Sequence, residues 1–248
     1  MEIVRNTAEK LITWLRQRQD PTHTFWTCQQ FEDYIKSLAK GSDALAFSDD
    51  FPRRIALYRT WHEVFNTLRA QAASEGRERW AMIGFKADRS RVYLQTNGSL
   101  GSEGSVSHTV RQKTIDSAKQ KGIVGLIGSI HSHPGASNFF SAEDLFTVVV
   151  SKGESITAVA EPSANLFAFR SFDSVSVPSG PFGLTQQSFA KYWYEQCGYK
   201  VIRSNHQGTI TTPSLYSKPV GVNKAIAQKH KLVIYSGLPN RHLTRIYP

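Results

Sequence analysis

Two histidines and an aspartate lie at a spacing that can form a metal site. His131-Ser132-His133-Pro134 is followed by the turn-forming stretch 135–138 and then by Ser141 and Asp144. Imidazole nitrogens and carboxylate oxygens are common zinc ligands, and three protein ligands leave a fourth position open for water, as in catalytic zinc sites. The spacing therefore predicts that His131, His133 and Asp144 bind one catalytic Zn²⁺, and it makes hydrolysis the leading hypothesis.

The elements around these residues must bring the side chains together. Residues 122–130 are apolar, contain β-branched residues and are punctuated by glycine, which predicts a buried strand. If this strand continues, His131 and His133 face the same side, whereas Ser132 faces the other side, where packing is its expected role. Ser141-Ala-Glu-Asp144 has the S-x-x-acid form of a helix start. Asp144 should then point from the first helical turn toward the end of the strand.

His131-Ser-His-Pro134 with Ser141-x-x-Asp144 resembles the JAMM motif of MPN-domain metalloproteases. The resemblance covers roughly residues 55–172. It implies an α/β (α+β) fold, with a mixed, curved β-sheet flanked by helices in a cytidine-deaminase-like core. Family members with the full motif are zinc-dependent peptidases or isopeptidases, and they commonly cleave ubiquitin or ubiquitin-like proteins from conjugates. A peptide or a ubiquitin-like protein conjugate is therefore the substrate that the resemblance implies.

The resemblance also implies a glutamate that precedes an early core strand and acts as the general base. Residues 80–85 read as such a strand, and Glu78 lies immediately before it, so Glu78 is the predicted catalytic base. Glu75 is a competitor because the spacing from Glu78 to the following glycine is one residue short, and Glu103 is a weaker alternative. Ser141 is predicted to cap the helix and to donate a hydrogen bond to the oxyanion of the reaction.

Other hydrolytic sites lack their characteristic residues. The chain has no H-E-x-x-H motif, and two cysteines, Cys28 and Cys197, cannot form a Cys-rich zinc site or a C-x-x-C deaminase pair. An amidohydrolase barrel needs about 250 residues of βα units and further ligands after later strands. Cys197 lies between an apolar helix and a strand, where a buried thiol is the ordinary interpretation. The remaining alternative is a noncatalytic MPN-like scaffold or binding protein, since relatives without the ligands serve in complexes.

Length and composition indicate a globular protein of one or two domains. The chain has 248 residues, of which 40% are hydrophobic. No apolar run approaches the length of a membrane span, and the N-terminus does not resemble a signal peptide. Two distant cysteines fit a reducing compartment. The sequence therefore predicts a cytoplasmic protein without a membrane span.

Three parts are predicted along the chain: a helical N-terminal extension (1–51), the catalytic core (52–172) and a basic C-terminal αβ element (173–248). Helical spacing of apolar residues predicts helices over 3–15 and 52–73. It also predicts a helix that opens at Thr27, runs through Leu38 and stops at Gly41. After the early core strand, residues 91–94 and 106–110 are predicted strands, and residues 114–121 are a predicted helix.

Positive charge is concentrated in the C-terminal part. Residues 173–248 contain nine Lys and Arg against two acidic residues, which gives +7 of the chain's net +10. Such a surface predicts an acidic partner or nucleic acid, and a solvated basic face without a partner is the simpler interpretation. No helix-turn-helix or aromatic-basic stacking motif accompanies the charge.

Overall fold

The computed structural model describes residues 24–38, 47–87, 91–102, 106–135, 139–150, 153–178, 185–203, 209–212 and 219–247. Within these residues there are six α-helices: α1 (Cys28–Leu38), α2 (Arg59–Glu75), α3 (His108–Gln120), α4 (Ala142–Val149), α5 (Gln186–Gln196) and α6 (Pro219–His230). In the same part of the chain, no helix has the length and apolar character that crossing a membrane requires.

Twelve strands lie in the described residues: β1 (Phe25–Trp26), β2 (Arg54–Ile55), β3 (Arg79–Lys86), β4 (Val92–Leu94), β5 (Ser99–Leu100), β6 (Ile123–Ser132), β7 (Ile156–Ala160), β8 (Asn165–Arg170), β9 (Lys200–Arg203), β10 (Thr209–Thr212), β11 (Leu232–Gly237) and β12 (Leu243–Tyr247). Ten of them form one sheet in the order β1-β2-β12-β11-β8-β7-β6-β3-β4, with β5 also paired to β3, and β9 and β10 form a separate hairpin.

The large sheet is mixed. Strand β6 pairs with β7 in parallel and with β3 antiparallel, and β7 pairs with β8 antiparallel. The sheet is open, because β1 and β4 end the strand order, and helices cover its faces. These features confirm the predicted α/β fold with a mixed sheet flanked by helices.

Both faces of the sheet are buried against helices, and β8 shows the alternation that this requires. Phe167 and Phe169 pack with helices α1 and α2, whereas Leu166 and Ala168 pack with helices α4, α5 and α6 on the opposite face. All four side chains are almost fully buried. A strand covered on both faces carries apolar residues at consecutive positions, as β8 does.

Several predicted elements are confirmed, and two are wrong. Helix α1 follows Thr27, whose hydroxyl accepts a hydrogen bond from the Gln30 N–H, as the pattern predicted. The predicted helix over 52–73 is wrong at its start, because residues 54–55 pair as β2 with β1 and β12. The predicted strand over 106–110 is also wrong, because Ser107 caps α3 by accepting from the Val110 N–H. The predicted helix over 3–15 lies outside the described residues.

Hydrogen bonding between strands crosses the boundaries of the three predicted parts. Strand β11 of the C-terminal part pairs with β8 of the predicted core along its whole length, and β12 joins β11 to β2. Strand β1, from the predicted N-terminal extension, completes the far side of the same sheet. The division at residues 51 and 172 stays a prediction, but strands from all three parts belong to one sheet.

Candidate metal centre

Strand β6 and helix α4 bring the three predicted ligands together. Strand β6 ends at Ser132, so His131 lies in the last pair of strand residues and His133 directly follows them. The Nε2 atoms of His131 and His133 are 3.2 Å apart. The Asp144 carboxylate places Oδ1 3.0 Å from His131 Nε2 and Oδ2 3.6 Å from His133 Nε2. The sequence spacing thus places three donor groups around one point.

The distances suit a small tetrahedral cation. Metal–nitrogen bonds of about 2.0–2.1 Å in a tetrahedron separate neighbouring ligand atoms by about 3.3 Å, close to the separations found here. The side chains of His133 and Asp144 retain 13% and 15% of their exposure, so the group is reachable from solvent. His131, His133 and Asp144 can therefore hold a metal ion and leave a face open to a substrate.

Ser141 and Asp144 fix each other at the start of α4. The Ser141 hydroxyl accepts a hydrogen bond from the Asp144 N–H at 3.0 Å, and the Asp144 carboxylate accepts one from the Ser141 N–H at 2.8 Å. This reciprocal capping box confirms the predicted helix start. The Ser141 hydroxyl keeps one proton to donate, and the carboxylates of Glu143 and Asp144 are nearby acceptors for it.

The charges of the group favour an ionised aspartate. Burial alone would raise the pKa of Asp144, but the nearby histidines and the hydrogen bond to Ser141 hold that pKa well below its usual range. Burial alone would lower the pKa of His133, but its hydrogen bond to Glu161 and the surrounding carboxylates raise the pKa to about 9. The cluster therefore carries negative charge that attracts either protons or a cation.

Glu78, the predicted base, interacts electrostatically with this group. It lies directly before β3, only 9% exposed, and its backbone pairs with residues 101 and 102. Burial raises the pKa of its carboxyl, while His131 and His133 oppose that rise. Glu75 instead forms an ion pair with Arg79, whose Nε lies 3.0 Å from its Oε2. Glu103 lies outside the described residues.

Residues 62–168 match the family model described as prokaryotic homologs of the JAB domain. This segment of the chain is therefore similar to a JAB-type domain. Among solved structures, it is similar to protein DSY2949 from Desulfitobacterium hafniense, with 20% sequence identity, coverage of 49% of this chain and 90% of that chain, and a TM-score of 0.32. No curated protein matches the chain.

The matched segment contains a carboxylate beside the group of His131, His133 and Asp144 (the metal group), and the sequence pattern did not indicate a role for it. Glu161 is fully buried at the end of β7, and its Oε1 lies 2.5 Å from His133 Nδ1. A neutral His133 that donates its Nδ1 proton to Glu161 keeps the Nε2 lone pair for a metal. The sequence signal was weak: an acidic residue directly after the uninterrupted apolar residues 156–160, followed by Pro162.

An arginine of the same matched segment holds the backbone that carries Glu161. Arg69 of α2 donates from Nε to the Glu161 carbonyl oxygen at 2.6 Å and from a terminal nitrogen to the Asn165 Oδ1 at 2.5 Å. The Glu161 N–H also donates to the Ala164 carbonyl oxygen, which closes a tight turn between β7 and β8. These two bonds hold the backbone of Glu161, and its side chain contacts His133.

Ser132 lies on the other side of the strand from the metal group, as predicted. It is fully buried, and its hydroxyl accepts a hydrogen bond from the Arg79 N–H at 3.0 Å. This bond ties the end of β6 to the start of β3, where Glu78 enters the sheet. Ser132 thus links the strand that carries the histidines to the strand that follows the predicted base.

Proposed function

We propose that the protein is a zinc-dependent metallopeptidase or isopeptidase that hydrolyses a peptide or isopeptide amide. The observation that carries this proposal is the convergence of two imidazoles and a carboxylate, whose nearest atoms lie 3.0–3.6 Å apart in each pair. The buried carboxyl of Glu78 lies in the electrostatic field of all three. The match of residues 62–168 to the JAB domain supports it, since JAMM-type hydrolases belong to that family.

Zinc fits the donor set better than magnesium or calcium. Two imidazole nitrogens and one carboxylate oxygen are borderline ligands of the kind that zinc takes, whereas magnesium and calcium prefer oxygen alone. His131, His133 and Asp144 would hold the ion. When bound, zinc supplies a Lewis acid that lowers the pKa of water and polarises the scissile carbonyl.

The side chains around the group then perform the proton transfers and hold the geometry. Glu78 accepts a proton from the attacking water and delivers it to the leaving amine. Burial raises the pKa of Glu78, which brings its carboxyl closer to the range that such a shuttle needs. The Ser141 hydroxyl donates a hydrogen bond to the developing oxyanion. Glu161 accepts from His133 Nδ1 and so keeps His133 in the tautomer whose Nε2 can bind the metal.

The substrate class follows from the family resemblance. We propose a ubiquitin-like protein joined through its C-terminal tail to a peptide or to a lysine, because JAMM proteins commonly act on such conjugates. The predicted acidic partner or nucleic acid of the basic C-terminal part stays a prediction. Retention on immobilised DNA that falls steeply with salt would support nucleic acid as the partner, and elution at low salt would exclude nucleic acid.

The proposal is tested by pairing metal analysis with hydrolysis. Wild type, a His131→Ala/His133→Ala double variant, Glu78→Gln and Glu75→Gln are assayed for zinc content and for cleavage of peptides and ubiquitin-like conjugates. We expect one zinc in wild type and none in the double variant. Glu78→Gln should keep the zinc and lose at least about 100-fold in turnover, the scale of a general base.

Glu75→Gln is the matched control, because it makes the same chemical change to a carboxylate that pairs with Arg79. It should retain both zinc and activity. A wild type that binds no zinc after careful reconstitution would refute the metallopeptidase. Full activity in Glu78→Gln would refute the role of Glu78.

A further inference from the structure

The turn that carries Ser141 and Asp144 packs against helices from outside the matched JAB segment. Helix α4 contacts α5 and α6, and the three form one hydrophobic cluster with β8 and β11. Phe140, the residue before the capping box, is fully buried in this cluster. The C-terminal helices are thus in contact with the segment that supplies one of the proposed ligands.

Asn223 of α6 pairs with the backbone of Phe140 through both ends of its amide. The Phe140 N–H donates to Asn223 Oδ1 at 3.0 Å, and Asn223 Nδ2 donates to the Phe140 carbonyl oxygen at 2.8 Å. Asn223 is only 2% exposed. Two hydrogen bonds to one residue fix the position and the orientation of its backbone, and buried bonds of this kind are costly to break.

Tyr194 of α5 holds the next part of the same turn. Its hydroxyl accepts a hydrogen bond from the N–H of Ala142, the first residue of α4, at 3.3 Å. Amides in the first turn of a helix have no partner within the helix, so a side chain from elsewhere can satisfy them. Both Ala142 and Tyr194 are buried.

Three consecutive amides of the turn therefore each donate to a side chain. The N–H of Phe140 donates to Asn223, that of Ser141 donates to Asp144, and that of Ala142 donates to Tyr194. The middle bond holds the proposed ligand, and the two flanking bonds come from the C-terminal part of the chain. A shift of the turn would displace the Asp144 carboxylate from the two histidines.

We propose that Asn223 and Tyr194 are positioning residues of the metal centre, so that helices α5 and α6 hold the Asp144 carboxylate in place against the β6 histidines. This inference rests on the proposed metal function. It assigns a role to the C-terminal part that differs from partner binding. Neither residue contacts the metal group directly, and both act through the backbone of residues 140–142.

The test compares zinc affinity, the absorption spectrum of the cobalt-substituted protein and amide hydrogen exchange in the full-length chain. Asn223→Leu keeps the approximate shape of the side chain and removes both hydrogen bonds. Asn223→Asp keeps the acceptor for the Phe140 N–H but cannot donate to the Phe140 carbonyl oxygen. Tyr194→Phe removes only the bond to Ala142, and it is the mildest of the three variants.

A matched control removes buried polar bonds at the opposite end of β8. Ser171 is 4% exposed, and its hydroxyl shares one proton between two acceptors, the Asp173 carboxylate at 2.6 Å and the Lys231 carbonyl oxygen at 2.8 Å. Ser171→Ala therefore loses hydrogen bonds of a similar kind without contact with the metal group. Thermal unfolding of every variant shows how much stability each change removes.

We expect Asn223→Leu to lose about 10- to 100-fold in zinc affinity, the range for residues that hold metal ligands in place. Exchange of the Phe140 and Ala142 amides should quicken in this variant, and the cobalt spectrum should change because Asp144 no longer sits at one position. Asn223→Asp and Tyr194→Phe should show smaller losses in the same direction. Ser171→Ala should retain wild-type affinity and spectrum.

Wild-type affinity and an unchanged cobalt spectrum in Asn223→Leu would overturn the inference while leaving the metallopeptidase intact. An equal loss in Ser171→Ala would overturn it as well, because general destabilisation would then account for the effect. If Asn223→Leu does not fold, Asn223→Asp and Tyr194→Phe decide by the same readouts. A wild type without zinc would refute the proposed function itself.

Discussion

Replacement of Glu161 by glutamine should weaken metal binding without removing any proposed ligand. The Glu161 carboxylate is fully buried and lies 2.5 Å from His133 Nδ1. Glutamine keeps an oxygen that can accept the Nδ1 proton but removes the negative charge. Loss of a partner of this kind typically costs 10- to 100-fold in metal affinity, or about 1.4–2.7 kcal/mol. We expect about tenfold for Glu161→Gln and about 100-fold for Glu161→Ala.

The pH of the assay decides how much of this loss is seen. Glu161 helps to raise the pKa of His133 to about 9 in the metal-free protein, so a proton competes with the metal at neutral pH. Glu161→Gln lowers that pKa, and the weaker competition masks part of the lost affinity near pH 7. Zinc affinity should therefore be measured by chelator competition from about pH 7 to pH 9, and the difference between variant and wild type should grow toward pH 9.

Nuclear magnetic resonance of the histidine rings provides the second readout. Metal-free wild type should contain His133 protonated at Nδ1, and its titration midpoint should fall in Glu161→Gln. Glu154→Gln is the control, because this half-buried carboxylate accepts from the Ser129 hydroxyl at 2.6 Å rather than from a ring nitrogen. The reasoning is refuted if Glu161→Ala binds zinc as tightly as wild type at pH 9, or if Glu154→Gln loses as much affinity as Glu161→Gln.

Three further changes test other parts of the structure. Ser141→Ala should lower the free energy of unfolding by about 1 kcal/mol, measured by denaturant unfolding, because the helix cap is lost. It should also lower turnover about 100-fold, measured by steady-state kinetics, because the oxyanion donor is lost. Unchanged turnover would mean that Ser141 only caps the helix. Gly128→Ala should lower the free energy of unfolding by about 1–3 kcal/mol or more, because a Cβ there would lie 2.1 Å from the Ile156 carbonyl oxygen. Gly135→Ala is the control, because a Cβ at that position meets no atom within 4 Å. Burial lowers the pKa of His230 in the folded protein. As the pH drops, the unfolded chain therefore binds a proton at this residue before the folded protein does, and the free energy of unfolding should fall below about pH 6.5. The free energy of unfolding should fall less with pH in His230→Gln, as measured by thermal unfolding from pH 7.5 to 5.5. The same pH dependence in wild type and variant would contradict this prediction.

The convergence of the three proposed ligands could be predicted because they lie close together along the chain. His131, His133 and Asp144 fall within one strand end, one turn and one helix start, each with a local sequence signal. The strand period and the capping pattern determine the direction of these side chains almost without long-range information. Glu78 required the family resemblance in addition, because nothing local distinguishes it from Glu75.

The residues that support the ligands could not be predicted in the same way. Asn223 lies on α6, which begins with Pro219 and carries Gly221, and no helix was predicted there. Its contact with Phe140 joins residues 83 positions apart. The boundaries drawn from charge and linker composition also separated this helix from the core, whereas β11 and β12 join the core sheet. Local composition does not report which strands become neighbours.

The contact between His133 and Glu161 shows how strand register produces part of the site. Strands β6 and β7 are parallel neighbours, connected through α4, and their register pairs Ser132 with Ala160. His133 and Glu161, the residues that follow the two strand ends, therefore lie side by side. The His133 nitrogen lies 3.4 Å from the Ala160 carbonyl oxygen. A one-residue slip of β7 would direct the carboxylate to the other face. The same βαβ connection thus places Asp144 in the crossover helix and Glu161 at the end of the second strand. One supersecondary unit therefore supplies all three proposed ligands and the carboxylate that contacts His133.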